Sequence, residues 1–456
     1  MKEHDTYNSL QRPLQHRQPL SCRPTVMMLQ ENLTLCVPRT SSGRDPHQPV
    51  LVHWKQPDEC SPNHVLIKVD RFGFSANNIT YQALGEHPHF RYFDFNTTPQ
   101  TDSVSPKTHG IFPVWGFGTI LKSTHPKIHE GERVYGYFAP TRYLLVPVSP
   151  ADVNKHAFYV PRPHLPPDRR PYNQILRCTA DPQYSPNPMT EDLTMLYRPL
   201  FWTSYWCEDW LFSSNYRRGA SLILISSASS KTAFCLAYLI KKRISRKEIS
   251  RNVKVIGLTS KRNLQFTQNL GHYDEVLEYG SFTSGRAFST GMDKRWIYVD
   301  VASNEQLNNR ILAHFASPYS GKLAGCTILG LTNLSPASSA ADTVDWTSNT
   351  LTLAPTSDGS DTDSISSFWP KFENFFMPEW LEVRKHQLSI AEIFSRQNQA
   401  WKELMANCVG WVQIERIYGG AAVKKAYEDV ANNGLRPDRG FIWSLWDKEE
   451  WICSRL

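Results

Sequence analysis

The chain has 456 residues, of which 40% are hydrophobic, and a net charge of +7 from 50 basic and 43 acidic side chains. This length favours two or three domains, and so mild a charge without a dense basic and aromatic run argues against a nucleic-acid partner. The sequence lacks the run of about 18 apolar residues that a membrane span needs. Nine scattered cysteines without C-x-x-C spacing argue against a disulfide framework and a structural zinc site. The first residues lack the apolar core of a signal peptide, so we expect a cytoplasmic protein.

The first half of the chain predicts a flexible tail followed by a small β-barrel domain. Residues 1–28 are polar and aperiodic, as in a tail. Residues 64–72 alternate like a half-buried strand, and GFSANNITY after them predicts a turn into a short helix. Paired glycines in FPVWGFGTILKS and HEGERVYGY indicate the tight corners of a barrel. The many prolines of 150–195 predict an ordered excursion over the surface rather than long helices, and we assign 29–195 to this domain.

The second half of the chain predicts an α/β domain, a linker and a return segment. Strands alternate with helices over 196–333, which is typical of a doubly wound parallel sheet of the Rossmann type. Residues 334–367 are rich in Ser, Thr and Asp and predict a flexible linker. Residues 368–456, with a helical pattern over 379–402 and a buried strand at 441–446, are expected to pack back on the barrel and the sheet edge. The predicted Rossmann strands are 222–225, 253–258, 275–279, 296–301 and 326–331, and the predicted helices are 231–242, 260–270 and 304–315.

The stretch LILISSASSKTAFCLA (222–237) predicts an anion-binding turn. A short apolar strand breaks into small polar residues and resumes with helical spacing, so backbone N–H groups at the helix start can point at a phosphate. Serines stand where a nucleotide-binding βαβ unit usually has glycines. The residues predicted to bind a nucleotide here are Ser227, Ser229, Ser230, Lys231 and Thr232.

Several motifs resemble those of the medium-chain dehydrogenases/reductases. GFSANNITYQALGE is similar to their early turn and helix, EGERVYGY to their barrel hairpin, and SASSKTA stands where the zinc-free quinone and enoyl reductases carry G-A-A-G-G-V-G. VIGLTSKRNLQFTQNLGHYDEVLEY and VDVAS are similar to later parts of their Rossmann domain. The stretch from about residue 50 onward, with PVWGFG, RPLF and SSASSKTA, also resembles an uncharacterised reductase-like family. The resemblance implies a GroES-like β-barrel beside the Rossmann domain.

Two departures from the reductase pattern bear on the chemistry. No set of Cys and His residues matches the catalytic zinc ligands, so we expect no metal. Ser227, Ser230 and Ala233 replace all three fingerprint glycines, which keeps the side chains small but loses glycine's freedom at positive φ. Two interpretations stay open. Either the loop still binds a nucleotide, with Lys231 adding a cation, or the fold is a scaffold that no longer binds one.

The end of the second predicted Rossmann strand indicates which nucleotide would bind. An NAD site usually has an acidic residue there to bind the ribose hydroxyls. This chain instead has a hydroxyl-rich and cationic run, which suits a 2′-phosphate, so we expect NADPH rather than NADH. The alternative is that the two cations belong to a solvated helix start. The cofactor-site candidates are Thr259, Ser260, Lys261 and Arg262 here, and Asp300 and Ser303 after a later strand, where an aspartate more often holds a loop.

The candidate catalytic residues come from segments that meet at the expected cleft between barrel and sheet. The resemblance places Tyr81 in the active-site turn, where its phenol would donate a proton or bond a carbonyl, unless it only packs at the domain seam. Asn77 and Asn78 either bind the substrate or the carboxamide, or cap the short helix. Thr203 lies where the superfamily chain enters the Rossmann domain beside the nicotinamide. Clustered aromatic residues, including Trp115, either wall a large apolar pocket or fill the core.

These residues together predict an NADPH-dependent, zinc-independent oxidoreductase. It would reduce a carbonyl or an activated C=C bond of a small, apolar organic substrate, as in secondary metabolism. The alternative is a reductase-like scaffold without redox activity, either a binding protein or a lyase, cyclase or isomerase that uses the same cleft. By analogy with the superfamily we expect a homodimer, and we expect neither a membrane nor a nucleic-acid partner.

Overall fold

The computed structural model describes residues 31–55, 60–249, 252–289, 293–331, 333–338 and 372–448. The predicted tail lies outside these residues, as does all but the first part of the predicted linker. The described residues form an eight-stranded and a three-stranded sheet of mainly antiparallel strands, and a six-stranded parallel sheet. This is the α/β architecture that the sequence predicts. None of the helices among these residues combines the length and the hydrophobicity that crossing a membrane requires.

The antiparallel sheets are built mostly from the first part of the chain. The longest strand, β3, pairs with both β5 and β7, and β5 pairs with β6. A Cβ on Gly118 would lie 2.6 Å from the Lys68 carbonyl oxygen, so the close approach of β3 and β5 requires glycine there. Helix α1 (Ala76–Ala83) follows β3 almost at once. The strands are β1 Glu31–Pro38, β2 Val50–Lys55, β3 His64–Phe74, β4 His109–Gly110, β5 Val114–Ser123, β6 Arg133–Phe138, β7 Tyr143–Pro147, β8 Ala157–Tyr159 and β9 Gln174–Arg177.

The parallel sheet has the strand order of a doubly wound Rossmann domain. Its first strand in sequence, β10, lies at the centre, and the order is β12-β11-β10-β13-β14-β15. The five predicted strands overlap β10 to β14, although β14 begins four residues earlier and ends three residues earlier than predicted, and β15 was not predicted. Apolar runs such as 222–225 indicate these strands because strands covered on both faces need hydrophobic side chains. The strands are β10 Leu222–Ile225, β11 Lys254–Thr259, β12 Glu275–Glu278, β13 Arg295–Asp300, β14 Lys322–Ile328 and β15 Phe372–Asn374, and the helices are α2 Pro188–Ser213, α3 Asn215–Gly219, α4 Lys231–Ser245, α5 Leu264–Asn269 and α6 Glu305–Ala316. Of these, α3 is a short left-handed turn, because residues 215–218 all have positive φ.

Helix α2 corrects the prediction that 150–195 contains no long helix. It has 26 residues and begins at Pro188, inside the proline-rich stretch. A proline in the first turn costs no hydrogen bond, because the N–H groups there have no helical acceptor. Asn187 caps the helix by accepting the backbone N–H of Met189 at 2.8 Å. The helix therefore runs from the barrel into the first Rossmann strand.

The return segment completes both large sheets. β15 adds the last parallel strand beside β14, and β17 pairs with β3 in antiparallel register. Trp443 on β17 stacks on Phe74 with ring centroids 4.0 Å apart. The predicted helical pattern of 379–402 forms two helices, because Ser389 starts a new helix by capping Glu392 N–H at 3.2 Å. The elements are α7 Met377–Gln387, α8 Ile390–Asn407, β16 Gln413–Tyr418, α9 Gly420–Asn433 and β17 Arg439–Ser444.

Candidate functional site

The carboxyl ends of the parallel strands bring the predicted nucleotide-binding segments together. The serine loop, defined as residues 226–230, follows β10. Thr259 is the last residue of β11, and residues 260–262 follow it. Thr259 Oγ1 and Asn263 Nδ2 donate to Ser229 Oγ at 3.3 and 3.2 Å, which joins the two loops. Ligands of such sheets bind at the carboxyl edge, where the strand order reverses. This edge is therefore the candidate nucleotide site.

The serine loop keeps a glycine-like path. Ser227 has a φ of 49°, the left-handed conformation that glycine adopts most easily. Its N–H donates to Tyr279 Oη at 3.1 Å, and Ser230 Oγ caps α4 by accepting the Ala233 N–H at 3.4 Å. Replacing the glycines was expected to remove the left-handed conformation, but Ser227 adopts it, at a cost in folding free energy on the order of 1 kcal/mol.

The polar residues beside this edge have different surroundings. Lys231 Nζ donates to the Arg439 carbonyl oxygen at 2.9 Å, so the return segment holds this ammonium, and burial lowers the pKa of Lys231 to about 8. Lys261 and Arg262 are exposed. Ser260 Oγ beside them is buried and has no hydrogen-bond partner among the described residues. This hydroxyl would be satisfied by an acceptor such as a phosphate oxygen.

Asp300 holds the loops at the sheet edge. Its Oδ1 accepts hydrogen bonds from Ser226 Oγ at 2.8 Å and from the N–H groups of Ala302 and Ser303 at 3.0 and 2.9 Å. Its Oδ2 accepts from Asn308 Nδ2 at 2.7 Å. Burial raises the pKa of Asp300, and these hydrogen bonds oppose that rise. Because both oxygens already have protein partners, the carboxylate fixes the backbone on which Ser303 lies.

A cavity of about 820 Å³ opens between this sheet edge and the barrel. Four of the predicted site residues line it: Asn77 and Tyr81 from α1, Thr203 from α2 and Thr232 from α4. Across the described part of the chain, no group of three His, Cys, Asp or Glu side chains is placed to hold a metal ion. Further lining residues include Trp115, Tyr135, Tyr172, Val301, Gly330, Phe375 and Phe376.

Tyr81 is a buried phenol of this cavity. Only 6% of the residue is exposed, and its Oη accepts from Asn77 Nδ2 at 3.4 Å. Its ring contacts Tyr92 and Tyr137, with centroids 4.6 and 5.4 Å away. Burial raises the pKa of Tyr81 well above its usual value. The phenol therefore carries its proton at neutral pH, as a proton donor must.

Two other predicted catalytic residues have protein partners. Asn78 is buried, accepts the Ser75 N–H at 2.8 Å and donates to the Pro113 carbonyl oxygen at 3.0 Å. This is the capping alternative, and Asn78 is not among the residues that line the cavity. Thr203 does line it, but its hydroxyl donates to the Pro199 carbonyl oxygen at 3.1 Å within α2.

Sequence reasoning missed part of the site. Tyr279 directly follows β12, and its hydroxyl accepts the Ser227 N–H of the serine loop. A tyrosine at the end of a predicted strand is the signal that could have indicated this residue. Arg169 and Arg198 line the cavity and pair with Asp168 and Asp181 at 2.7 and 2.6 Å. These ion pairs gave no signal in the sequence, because both aspartates lie in the stretch predicted to run over the surface.

The fold is similar to that of solved structures. The crystal structure of CurA from Vibrio vulnificus has a TM-score of 0.51 and 11% identity, covering 90% of this chain and 98% of CurA. CurA in complex with NADPH gives a TM-score of 0.50 and 10% identity over the same shares. The yhdH oxidoreductase from Salmonella enterica in complex with NADP has a TM-score of 0.48 and 13% identity, covering 90% of this chain and 99% of that one. At such identity the likeness to CurA shows the fold alone.

A family model gives the closer classification. No curated protein matches the sequence. The model described as Protein of unknown function (DUF2855) matches residues 72–436, which include α1, the parallel sheet and the return segment through α9. Because this match spans well over half of the chain, the protein belongs to the DUF2855 family.

Proposed function

We propose that the protein is an NADPH-dependent reductase that reduces a carbonyl or an activated C=C bond of a small, mainly apolar organic molecule without using a metal. The observation that carries this proposal is a cavity whose lining includes both Thr232 and Val301 at the carboxyl edge of the parallel sheet and Tyr81 on the barrel side. A hydride source at this edge and a phenolic proton donor would meet at one substrate. The NADPH complex of CurA, which has a similar fold, supports the choice of cofactor.

The residues of the sheet edge suit a dinucleotide with a 2′-phosphate. The N–H groups of Lys231 and Thr232 lie in the first turn of α4, where a helix has no acceptor for them and favours an anion. The buried hydroxyl of Ser260 lacks a partner among the described residues, and Lys261 and Arg262 follow it as exposed cations. Bound NADPH would supply the hydride, while the serine loop and residues 259–262 hold its phosphates.

The residues across the cavity define the substrate side. Rings of Trp115, Tyr172 and Phe375 line the cavity and suit a flat, apolar molecule. Tyr81 holds the proton that a reduced carbonyl or enone must receive. We therefore expect a conjugated or aromatic substrate whose reacting oxygen lies next to the Tyr81 hydroxyl.

The second candidate function is a scaffold without redox activity, which binds a ligand in the cavity or catalyses a lyase, cyclase or isomerase reaction there. A specific observation favours it, because the serine loop already uses some of its polar groups internally. The Ser227 N–H bonds to Tyr279, and Ser229 Oγ accepts from Thr259 and Asn263. A loop that had lost its nucleotide would be satisfied in this way.

Nucleotide binding separates the two functions. Tryptophan fluorescence of the purified full chain is measured during titration with NADPH and with NADH, and NADPH oxidation is then followed with a panel of quinones and enones. We expect saturable quenching that is tighter for NADPH, followed by oxidation. Absence of saturable binding by either nucleotide would reject the reductase and favour the scaffold. Binding without oxidation of NADPH would favour the lyase, cyclase or isomerase.

The cationic turn after β11 predicts the preference for NADPH. In Lys261→Ala/Arg262→Ala, the Kd for NADPH should rise at least about tenfold, because two charge-assisted contacts to a phosphate are lost, while the Kd for NADH stays within about twofold. The matched control is Lys254→Ala/Lys322→Ala, which removes two exposed cations at the opposite, amino edge of the sheet. Equal weakening of both nucleotides in the test variant would reject the phosphate assignment.

A further inference from the structure

The aromatic face of β5 and β6 surrounds the Tyr81 side chain. Trp115 lies opposite Tyr137, and Phe117 opposite Tyr135, in the antiparallel register of these strands. Alternate residues of a strand share a face, so these four rings lie together. The Trp115 and Tyr137 centroids are 4.8 Å apart, and Tyr81 packs edge-on against Tyr137 at 5.4 Å and 87°.

Three polar groups of this face, Trp115 Nε1, Tyr135 Oη and Tyr137 Oη, are buried without a hydrogen-bond partner among the described residues. Of these three, the Trp115 and Tyr137 side chains are the two that interact with the Tyr81 hydroxyl. Buried donors of this kind are rare, because each lost hydrogen bond is costly. A group near them that can gain negative charge would account for their placement.

The Tyr81 oxygen is that group. Burial, and then the nearby Tyr172, raise the pKa of Tyr81, whereas interactions with Trp115, Tyr137 and Asn77 lower it. Burial raises the pKa of Tyr137, and its interaction with Tyr81 raises it further, so Tyr137 keeps its proton and acts as the donor. The indole N–H and the Asn77 amide can only donate at these atoms.

We propose that Asn77, Trp115 and Tyr137 are positioning residues that present hydrogen-bond donors to the Tyr81 oxygen and direct its own O–H into the cavity, toward the oxygen of the substrate. An oxygen that accepts from its neighbours has to point its hydrogen elsewhere. When the oxygen becomes a phenolate, the 3.4 Å bond from Asn77 should shorten and the two unpartnered groups should turn toward it, which stabilises the product of proton transfer. This inference rests on the proposed function for the identity of the substrate.

The proton transfer balances as follows for a carbonyl substrate. The carbonyl carbon gains a hydride from NADPH, the π electrons of the C=O bond move to oxygen, and that oxygen forms a bond to the Tyr81 proton. The O–H bond of Tyr81 breaks and leaves a phenolate, which the three donors hold until water returns a proton.

The test measures the ionisation of residue 81 in the free protein, without cofactor or substrate. Tyr81 is replaced by a trifluorinated tyrosine, whose phenol ionises well below tyrosine, and fluorine NMR follows its titration. Trp115→Phe and Tyr137→Phe should each lower the acid dissociation constant of the phenol at position 81 about tenfold, because a hydrogen bond to its charged form is lost. The titratable and charged groups facing this position are Tyr92, Tyr135, Tyr137, Tyr172 and Arg169, whose guanidinium pairs with Asp168.

Tyr135→Phe is the matched control. Tyr135 lies on the same strand and face as Tyr137, and its hydroxyl is also buried without a partner among the described residues. It should change the ionisation of residue 81 by less than about twofold. Changes below twofold in both Trp115→Phe and Tyr137→Phe would overturn the inference, as would an equal effect of Tyr135→Phe.

Two further measurements keep the test decisive. If an aromatic variant does not fold, Asn77→Leu provides a second test, because it removes a donor at a half-buried position at the start of α1. It should lower the acid dissociation constant of the phenol at position 81 about threefold. An unchanged constant would contradict the inference. With NADPH and a quinone, Trp115→Phe and Tyr137→Phe should lower kcat about tenfold and leave KM nearly unchanged. If the fluorine titrations behave as expected but NADPH is never oxidised, the proposed function fails and the positioning of Tyr81 stands.

Discussion

Asp300 shows how a single residue fixes the edge at which the nucleotide would bind. All four groups that contact its carboxylate are donors, namely one hydroxyl, two backbone N–H groups and one side-chain amide. The site therefore needs an acceptor at both oxygens. An asparagine has the same shape, but the N–H of its amide would point at one of the donors that now contact the carboxylate.

Asp300→Asn should accordingly destabilise the protein by about 2 kcal/mol, because its bonds to a charged acceptor become bonds to a neutral amide and the Asn308 amide has to turn to accept the new N–H. The midpoint of urea unfolding, followed by tryptophan fluorescence, measures this effect. Asn304→Ala, which removes the cap of α6 that bonds the Leu307 N–H, is the local control and should cost about 1 kcal/mol. An Asp300→Asn midpoint equal to that of the unmodified protein would contradict the structural role of the carboxylate.

At the scale of elements, α4 and α5 are covered by an aromatic cluster from the return segment. His272 lies between α5 and β12, with its ring 4.5 Å from Trp411 and 5.6 Å from Tyr238. Its Nε2 is buried without a hydrogen-bond partner among the described residues. Burial lowers the pKa of His272 to about 4, because the cluster offers nothing to stabilise its charged form.

This histidine should make the protein less stable in mild acid. Its pKa in the folded state lies below the unfolded value of about 6.5, so the unfolded chain binds the proton first as the pH falls. Its contribution is complete above about pH 6.5 and is lost as the pH falls towards 4, for a total of about 3 kcal/mol. The free energy of unfolding, measured with urea, should change less with pH across this range in His272→Phe than in the unmodified protein. The exposed His53→Gln on β2 is the control, and an unchanged slope in His272→Phe would contradict the prediction.

At the scale of the whole molecule, a buried ion network joins the barrel to the Rossmann entry helix. Arg71 on β3 contacts Glu191 and Asp192 in the first turns of α2 at 2.7 and 2.5 Å. Arg133 on β6 contacts Glu191 at 2.8 Å, and Arg416 on β16 contacts Asp192 at 2.5 Å. Burial opposes ionisation of Glu191, but hydrogen bonds from Arg133 and Arg71 hold its pKa at about 2. Strands from both ends of the chain thus meet on one helix end.

Arg71→Met should lower stability by about 3–5 kcal/mol, because it leaves two buried carboxylates with one fewer partner. The exposed pair of Arg396 and Glu392 on α8 provides the matched control, and Arg396→Met should cost less than about 1 kcal/mol. Thermal unfolding and urea midpoints measure both variants. A loss in Arg71→Met no larger than in Arg396→Met would mean that the network does not hold the two parts of the molecule together.

The sheet could be predicted from the sequence, and the start of α2 could not. Residues 222–225 form an unbroken apolar run because strands of a parallel sheet are covered on both faces. Prolines before α2 predicted an ordered excursion over the surface, yet Pro188 lies in the first helical turn, where proline costs no hydrogen bond, and the helix continues past Pro199. The local pattern was the same for either outcome, and packing of the helix against the barrel decided it.

A few residues of the candidate cavity followed from local motifs, whereas most of its lining and its long-range partners did not. Asn77, Tyr81 and Thr203 lie on segments whose motifs implied the cleft, and the structure brings them into one cavity. The partner of Lys231 is a carbonyl oxygen 208 residues later in the chain. The sequence could not decide whether Trp115 lines a pocket or fills the core, because strand periodicity gives the face on which a side chain lies but not what covers that face.

The late closure of both sheets has a consequence for biosynthesis. β17 pairs with β3, and Ser444 Oγ donates to the carbonyl oxygen of Asp70, 374 residues earlier, while β15 covers β14 only after residue 371. On the ribosome, the parallel sheet cannot be finished before residues 372–374 have emerged, nor the larger antiparallel sheet before residues 439–444, and contacts so distant in sequence form slowly. Until then β3 and β14 expose unpaired backbone groups that can recruit other strands. Nascent and truncated chains are therefore expected to need chaperones, because they carry two open strand edges that the finished chain covers.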